Sequence, residues 1–117
     1  MSIYGMADKF LGQGLDIVVV TVIEKEGHAP NVCGSKMVIA SDGSMAGTIG
    51  GGTLEFIAQK EAEKLFCERT NRIVRYLLSK EDNRVFSDDE QKTGMMCGGR
   101  VSLFYEFTAA AAAVMIF

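Results

Sequence analysis

Short apolar segments separated by hairpin-type turns, with helical periodicity in only two places, predict an α+β fold: a mixed sheet of about five strands and two main helices in a single compact domain. Three observations carry this expectation. Ile17 to Ile23 is a continuous valine-rich run that fits a central strand covered on both faces. Lys36–Ala40 and Met45–Ile49 are extended segments joined by SDGS, whose Asp42-Gly43 is a hairpin-turn signal. The stretch GTIGGGTLEF, Gly47 to Phe56, then leads an extended segment through three consecutive glycines into a helix.

The remaining elements follow in order. Ile3, Met6, Ala7, Phe10 and Leu11 mark one buried face of a first helix, with Ser2 as its N-cap and Gly12 and Gly14 at its end. Glu24 to Gly34 holds the single histidine, the single proline and the first cysteine between glycines, and reads as a shaped loop. In the second helix Leu54, Ile57, Ala58, Ala62, Leu65 and Phe66 share one side. Glu61 falls near that side, either at its edge with the carboxylate in water or as a buried functional acid. Arg72 to Leu78 reads as a strand, and Lys80 to Thr93, charged and poor in apolar residues, as a solvated loop or short exposed helix. Gly94 to Arg100 is a glycine-rich turn before VSLFYEF, where Val101, Leu103, Tyr105 and Phe107 alternate as in a half-buried strand. Residues 1–108 then form the domain, and 109–117 an apolar tail that packs on the domain, on a second copy, or within a longer architecture.

Composition excludes some functions. With 117 residues, 48% of them hydrophobic, the chain can build one core. Its 12 basic and 15 acidic residues give no positive field for a nucleic acid backbone. Cys33, Cys67 and Cys97 are an odd number without a CxxC pair, and no leader sequence precedes them, so a reduced, cytoplasmic setting is expected. No apolar run approaches the ~20 residues that span a bilayer, so no membrane partner is expected.

Two motifs can carry chemistry. Gly50, Gly51 and Gly52 free the backbone before a helix N-terminus, where unpaired amides and the helix dipole favour an anion; the alternative is a tight packed turn. With Gly52 as N-cap, Glu55 is placed to fold back on the cap amide, and its charge counts against tight phosphate binding. Cys97, beside Gly98, Gly99 and Arg100, sits where free amides and a guanidinium would favour the thiolate, able to bind a soft metal or attack an electrophile; a lone cysteine is otherwise a small buried hydrophobe, the reading kept for Cys67. His28 and Cys33 share a loop but supply only two of the four ligands of a structural zinc site. Neither a Ser-His-Asp arrangement nor a P-loop is evident, and Glu24 and Glu26 read as solvated charges.

HAPNVCGSKMVIASDG, GTIGGGTLE and GMMCGGRVSLFYE together resemble, in order and spacing, the N-terminal domain of the XdhC/CoxI family of molybdenum-enzyme accessory proteins, over Leu15 to Phe107. The resemblance implies a chaperone that binds molybdenum cofactor, protects it while its sulfido ligand is installed, and passes it to a xanthine dehydrogenase-type hydroxylase. It places the family's cysteine on Cys97, as a candidate molybdenum ligand, and its glycine turn on Gly50, Gly51, Gly52 and Thr53, with Gly98, Gly99 and Arg100 beside the cysteine. A cysteine desulfurase, a separate Rossmann-domain chain and a second copy are the further partners it raises. Two positions depart from the pattern: Asn31 stands where an arginine commonly follows the proline, and Thr53 where some relatives have cysteine. The Rossmann-like second domain of full-length members is also not in this sequence.

The competing readings are a small enzyme using Cys97 as nucleophile on a nucleotide-like substrate, and a scaffolding module without ligand. The glycine run separates binding from architecture. Gly51→Val is expected to weaken cofactor retention more than it lowers the melting temperature, because the β-branched side chain fills the ligand's space. A variant that fails to fold would make the turn structural.

Overall fold

The computed structural model describes residues 2–27, 31–79, 85–87 and 97–110, of which 79, 85–87, 97 and 98 are described through their backbone. The chain runs through α1 (Ile3–Gly12), β1 (Ile17–Gly27), β2 (Lys36–Ala40), β3 (Met45–Gly47), α2 (Gly52–Glu68), β4 (Arg72–Ser79), β5 (Val85–Ser87) and β6 (Cys97–Thr108). The strands form one sheet in the order β3-β2-β1-β6-β4-β5. The α+β class holds, with two helices. The sheet has six strands rather than about five, and each described pairing is antiparallel where a mixed sheet was expected.

β1 lies inside the sheet, and its alternating valines show why it reads as uninterrupted. Val18, Val20 and Val22 join the core beneath α2, while Ile17 and Val19 face α1. A strand covered on both sides needs apolar residues at every position. α1 contributes Phe10, Ile3, Met6, Ala7 and Leu11 to its side. Ser2 caps it by accepting from the Gly5 amide at 3.1 Å. On the opposite face α2 buries Leu54, Ala58, Ala62 and Leu65. Truncating a side chain as enclosed as Leu65 typically costs about 2–5 kcal/mol. α2 ends at Arg69, which takes the left-handed conformation (φ 56°) usually left to glycine. Its guanidinium lies over the Phe107 ring, 5.0 Å from the centroid, and 3.6 Å from the Asp16 carboxylate. Those two contacts tie the helix end to β6 and to the start of β1.

Several boundaries differ from the sequence expectation, each because pairing overrides local composition. β1 continues through Glu24–Gly27, expected as loop, and the CGGR motif, expected as a turn, opens β6. The two extensions meet at their ends, Glu26 opposite Arg100 and Gly27 opposite Gly99. Both are polar or glycine-rich, so neither carries a strand signal by itself. β3 stops at Gly47 instead of Ile49, because the Gly47 φ of 84° turns the chain out of the ladder. A Cβ there would lie 2.6 Å from the Lys36 carbonyl and 2.7 Å from Ile3 Cδ1, so only glycine fits. β5 falls within the stretch expected as solvated loop and is held by pairing with Tyr76–Leu78. The rest of that stretch, and residues 111–117 of the apolar tail, lie outside the described residues. No helix among the described residues is long and apolar enough to cross a membrane.

Beneath α2, Tyr76 and Tyr105 place their hydroxyls 2.6 Å apart in the core. Burial first, then Tyr76 and the nearby Glu61 charge, push the Tyr105 phenol far above its ordinary pKa, so it stays neutral. Glu61 itself is withdrawn to 13% exposure and sits 2.5 Å from Arg72 on β4, neither open to water nor unpaired. Tyr76→Phe removes the Tyr105 partner and is expected to cost about 1–2 kcal/mol in urea unfolding. Adding Tyr105→Phe should cost less than the two single changes summed, since the second loss leaves no orphaned hydroxyl. Strict additivity would show that the pair is energetically uncoupled.

Candidate functional site

Strand direction gathers the motifs. In the antiparallel order, the C-terminal ends of β1 and β3, the N-terminal ends of β2 and β6 and the start of α2 all fall at one end of the sheet. The glycine turn and Asn31 meet there, while the CGGR segment points the same way but lies farther out: Gly47 is level, across β2 and β1, with Tyr105, and Arg100 is five residues beyond Tyr105 on β6.

The turn from Thr48 to Gly51 is shaped from behind by Asn31, which is 2% exposed. Its Nδ2 donates to the carbonyls of Ile49 at 2.6 Å and Gly50 at 3.4 Å. Because each peptide is planar and trans, drawing those carbonyls inward turns the following amides outward. Gly50, at φ 95°, packs against the Asn31 backbone, where a Cβ would be 3.3 Å from the Asn31 Cα. A side chain at Gly51 or Gly52 would instead meet open space, and Gly50, Gly51, Gly52 and Thr53 are all exposed. The two kinds of glycine thus differ: Gly50 closes the packing, while Gly51 and Gly52 leave room in front of the helix. Asn31 stands where the resemblance leads one to expect arginine, and here it shapes the turn. Its Oδ1 is buried with no hydrogen-bond partner among the described residues, a condition that costs on the order of 1–3 kcal/mol.

α2 begins at Gly52 with Gly51 as N-cap, one residue earlier than expected, so Glu55 does not close a capping box on Gly52. Its carboxylate reaches back into the turn. Oε2 accepts from the Ile49 amide at 3.0 Å and from the Thr48 hydroxyl, and Thr48 Oγ1 accepts from the Gly50 amide at 3.1 Å. Partial burial alone would raise the Glu55 pKa; hydrogen bonds from Thr48 and from the amides of Ile49, Gly51 and Gly50 outweigh it and hold the carboxyl below its usual range. The amides of Gly52, Thr53 and Leu54 open the helix and have no partner in its own ladder. The sequence shows Glu55 as a cap but not its true partners, since Thr48 becomes its neighbour only through the glycine turn. Asn31 carries no sequence signal for its role at all.

At the other motif, Cys97 is the first residue of β6 and pairs through its backbone with Ser79; a register shift beside it leaves Gly98 as the extra residue of a bulge. The Cys97 sulfur lies outside the described side chains, as do His28 and Gly94. Arg100, expected beside the cysteine, extends across the ladder to Glu26 at 3.8 Å. Glu24 is likewise paired, 4.0 Å from Arg75 and 3.3 Å from the Ser102 hydroxyl. Cys33 is an exposed free thiol, and Cys67, expected to be buried, is exposed too, because it follows the core-facing Leu65 and Phe66 on the helix and turns outward. No group of three or more His, Cys, Asp or Glu that could hold a metal ion occurs among the described residues.

The domain is an antiparallel α+β unit with a glycine turn before α2 and a CGG segment opening β6. The model of the XdhC and CoxI family matches residues 10–77, more than half of the chain, and the chain belongs to that family. It is 33% identical over 75 residues to the molybdenum cofactor insertion chaperone PaoD of Escherichia coli K12, covering 64% of this chain and 24% of PaoD. It is 28% identical over 104 residues to the uncharacterized protein YqeB of the same organism, covering 89% of this chain and 18% of YqeB. Among solved structures, a Bacillus halodurans protein described as a xanthine dehydrogenase superposes with a TM-score of 0.66 at 30% identity, over 92% of this chain and 30% of its own. The chain thus spans less than a third of each of these proteins.

The Glu55 contacts can be measured through pH. Because its folded pKa is lowered, the stability it contributes is present above the ordinary carboxyl pKa, 4.5, and is lost as pH falls through the lower folded value. Glu55→Gln is therefore expected to be about 1 kcal/mol less stable than the parent at pH 7, with the gap closing below pH 4.5. Urea unfolding at both pH values checks this; a gap independent of pH would mean that the charge plays no part.

Proposed function

We propose that this chain is the cofactor-holding part of a molybdenum cofactor insertion chaperone, keeping sulfurated cofactor and helping to insert it into a xanthine dehydrogenase-type hydroxylase. The observation that carries the reading is the exposed glycine turn at the start of α2, where a side chain at Gly51 or Gly52 would meet open space; the Cys97–Arg100 segment opens β6 in the same direction. Family membership and the likeness to PaoD support it.

The cargo has two chemically unlike ends. Its phosphate suits the outward amides of Gly51, Gly52 and Thr53, where the α2 dipole favours negative charge and the absence of side chains permits close approach. Its molybdenum–dithiolene end is soft and suits a thiolate, which assigns that end to Cys97. Gly98 and Gly99 carry no side chain at the strand start, although Gly99 is itself buried, and Arg100, tied to Glu26, adds a cation at the rim. The chain works in the cytoplasm with the client hydroxylase, a cysteine desulfurase as sulfur source, and a Rossmann-type domain or second copy that completes the enclosure.

Anaerobic titration with molybdenum cofactor, followed by its absorbance, tests the reading. Cys97→Ser should keep the parental melting temperature and weaken cofactor binding by roughly tenfold or more, because a hard, un-ionised hydroxyl is a poor partner for molybdenum. Cys67→Ser should change neither. Undiminished binding by folded Cys97→Ser would remove the thiolate from the site, and no binding by the parent would end the carrier reading.

A further inference from the structure

α2 covers its face of the sheet as a single helix, and its outward side carries a pattern that the core does not explain. Leu54, Ala58, Ala62 and Leu65 are the buried residues of the helix. Phe56, Lys60, Glu63 and Cys67 follow one another at steps of four, three and four, so they form one stripe along the side opposite the core. All four are exposed, and Phe56, at 58%, is the large apolar side chain that α2 gives to solvent. The Lys60 ammonium lies 5.3 Å from the centroid of the Phe56 ring. Neither Lys60 nor Glu63 has an ion pair among the described residues.

The order of the stripe is what makes it informative. From either end it runs apolar side chain, charge, opposite charge, apolar side chain, with the cysteine counted as a small hydrophobe. The steps are symmetric about the midpoint between Lys60 and Glu63. Such a stripe is complementary to itself when a second copy of the helix is laid along it in the opposite direction. Each Lys60 then faces the partner's Glu63, and each Phe56 faces the partner's Cys67. A parallel arrangement would instead set Lys60 against the partner's Lys60 and Glu63 against the partner's Glu63, and like charges in contact repel.

We infer that the outward side of α2 is a docking surface for a second copy of this chain, packed as an antiparallel helix pair about a two-fold axis. Lys60 then bridges its own Phe56 ring and the partner's Glu63, and the exposed ring is covered by a soft sulfur. The pairing uses the side of α2 and not its end, so the first-turn amides stay uncovered and the inference stands without the carrier reading. A single pair of helices falls at the low end of interface sizes, so the association is weak and is read at high protein concentration.

Sedimentation of the full chain under reducing conditions, over a range of concentrations, is expected to show a reversible equilibrium of monomer and dimer. Lys60→Glu and Glu63→Lys should each weaken the dimer about tenfold, because the two-fold axis makes every reversal count twice. The two changes combined should return the parental strength. Melting temperatures at low concentration, expected to match the parent, show that the variants fold. The register is read by Phe56→Cys, which sets a thiol opposite the partner's Cys67. Mild oxidation should then give a disulfide-linked dimer, and adding Cys67→Ser should abolish it. A cross-link that survives Cys67→Ser overturns the antiparallel register. A chain that stays monomeric at about 1 mM, or charge reversals that do not restore each other, overturns the pairing and leaves the stripe to a different protein. None of these measurements involves cofactor, so such a failure leaves the carrier reading as it stands.

Discussion

The ladder between β1 and β6 is the constraint on which the rest of the molecule depends. Its ten residue pairs run from Ile17 opposite Thr108 to Gly27 opposite Gly99. The inner part supplies the valines and Tyr105 against which α2 packs, and the other face of β1 takes α1. The outer part is polar and would have no reason to be extended alone. It is extended because the buried half fixes the register and the next residues in each strand then face a partner. Cross-strand charge pairing between Glu26 and Arg100 adds little energy at such exposed positions but agrees with that register.

From that ladder the position of the glycine turn follows. β2 pairs with β1, β3 with β2, and Gly47 leaves the sheet level with Met37. The turn then starts α2 on the β2–β3 side, several residues short of where β6 begins beside the end of β1. The turn is an electrostatically closed unit in which Asn31 holds the carbonyls from behind and Glu55 holds amides from in front. Chains of this kind resolve the problem of a helix start next to exposed glycines by satisfying the backbone internally. The same arrangement keeps the first amides of α2 oriented by the polar groups that cap the turn.

In the proposed carrier role the two ends of the cargo would meet chemically distinct groups, outward amides at the glycine turn for the phosphate and the Cys97 thiolate for the soft end. Two modest contacts of that kind would suit transfer better than one tight contact.

Local pattern determined a good part of this protein: the α+β class, the central strand at Ile17, the Asp42-Gly43 hairpin, both helix faces and the family. These rest on periodicity, turn chemistry and spaced motifs, all of which act over a few residues. Tertiary structure alone decided the six-stranded antiparallel order, the extension of β1 and β6 through polar residues, and β5. It alone decided that Arg100 turns to Glu26 and that Glu55 serves Thr48 and Ile49. The reason is common to all of them. A strand edge, an ion pair or a buried carboxamide such as Asn31 takes its role from a partner distant in sequence, and that partner is specified only once the core has set the register.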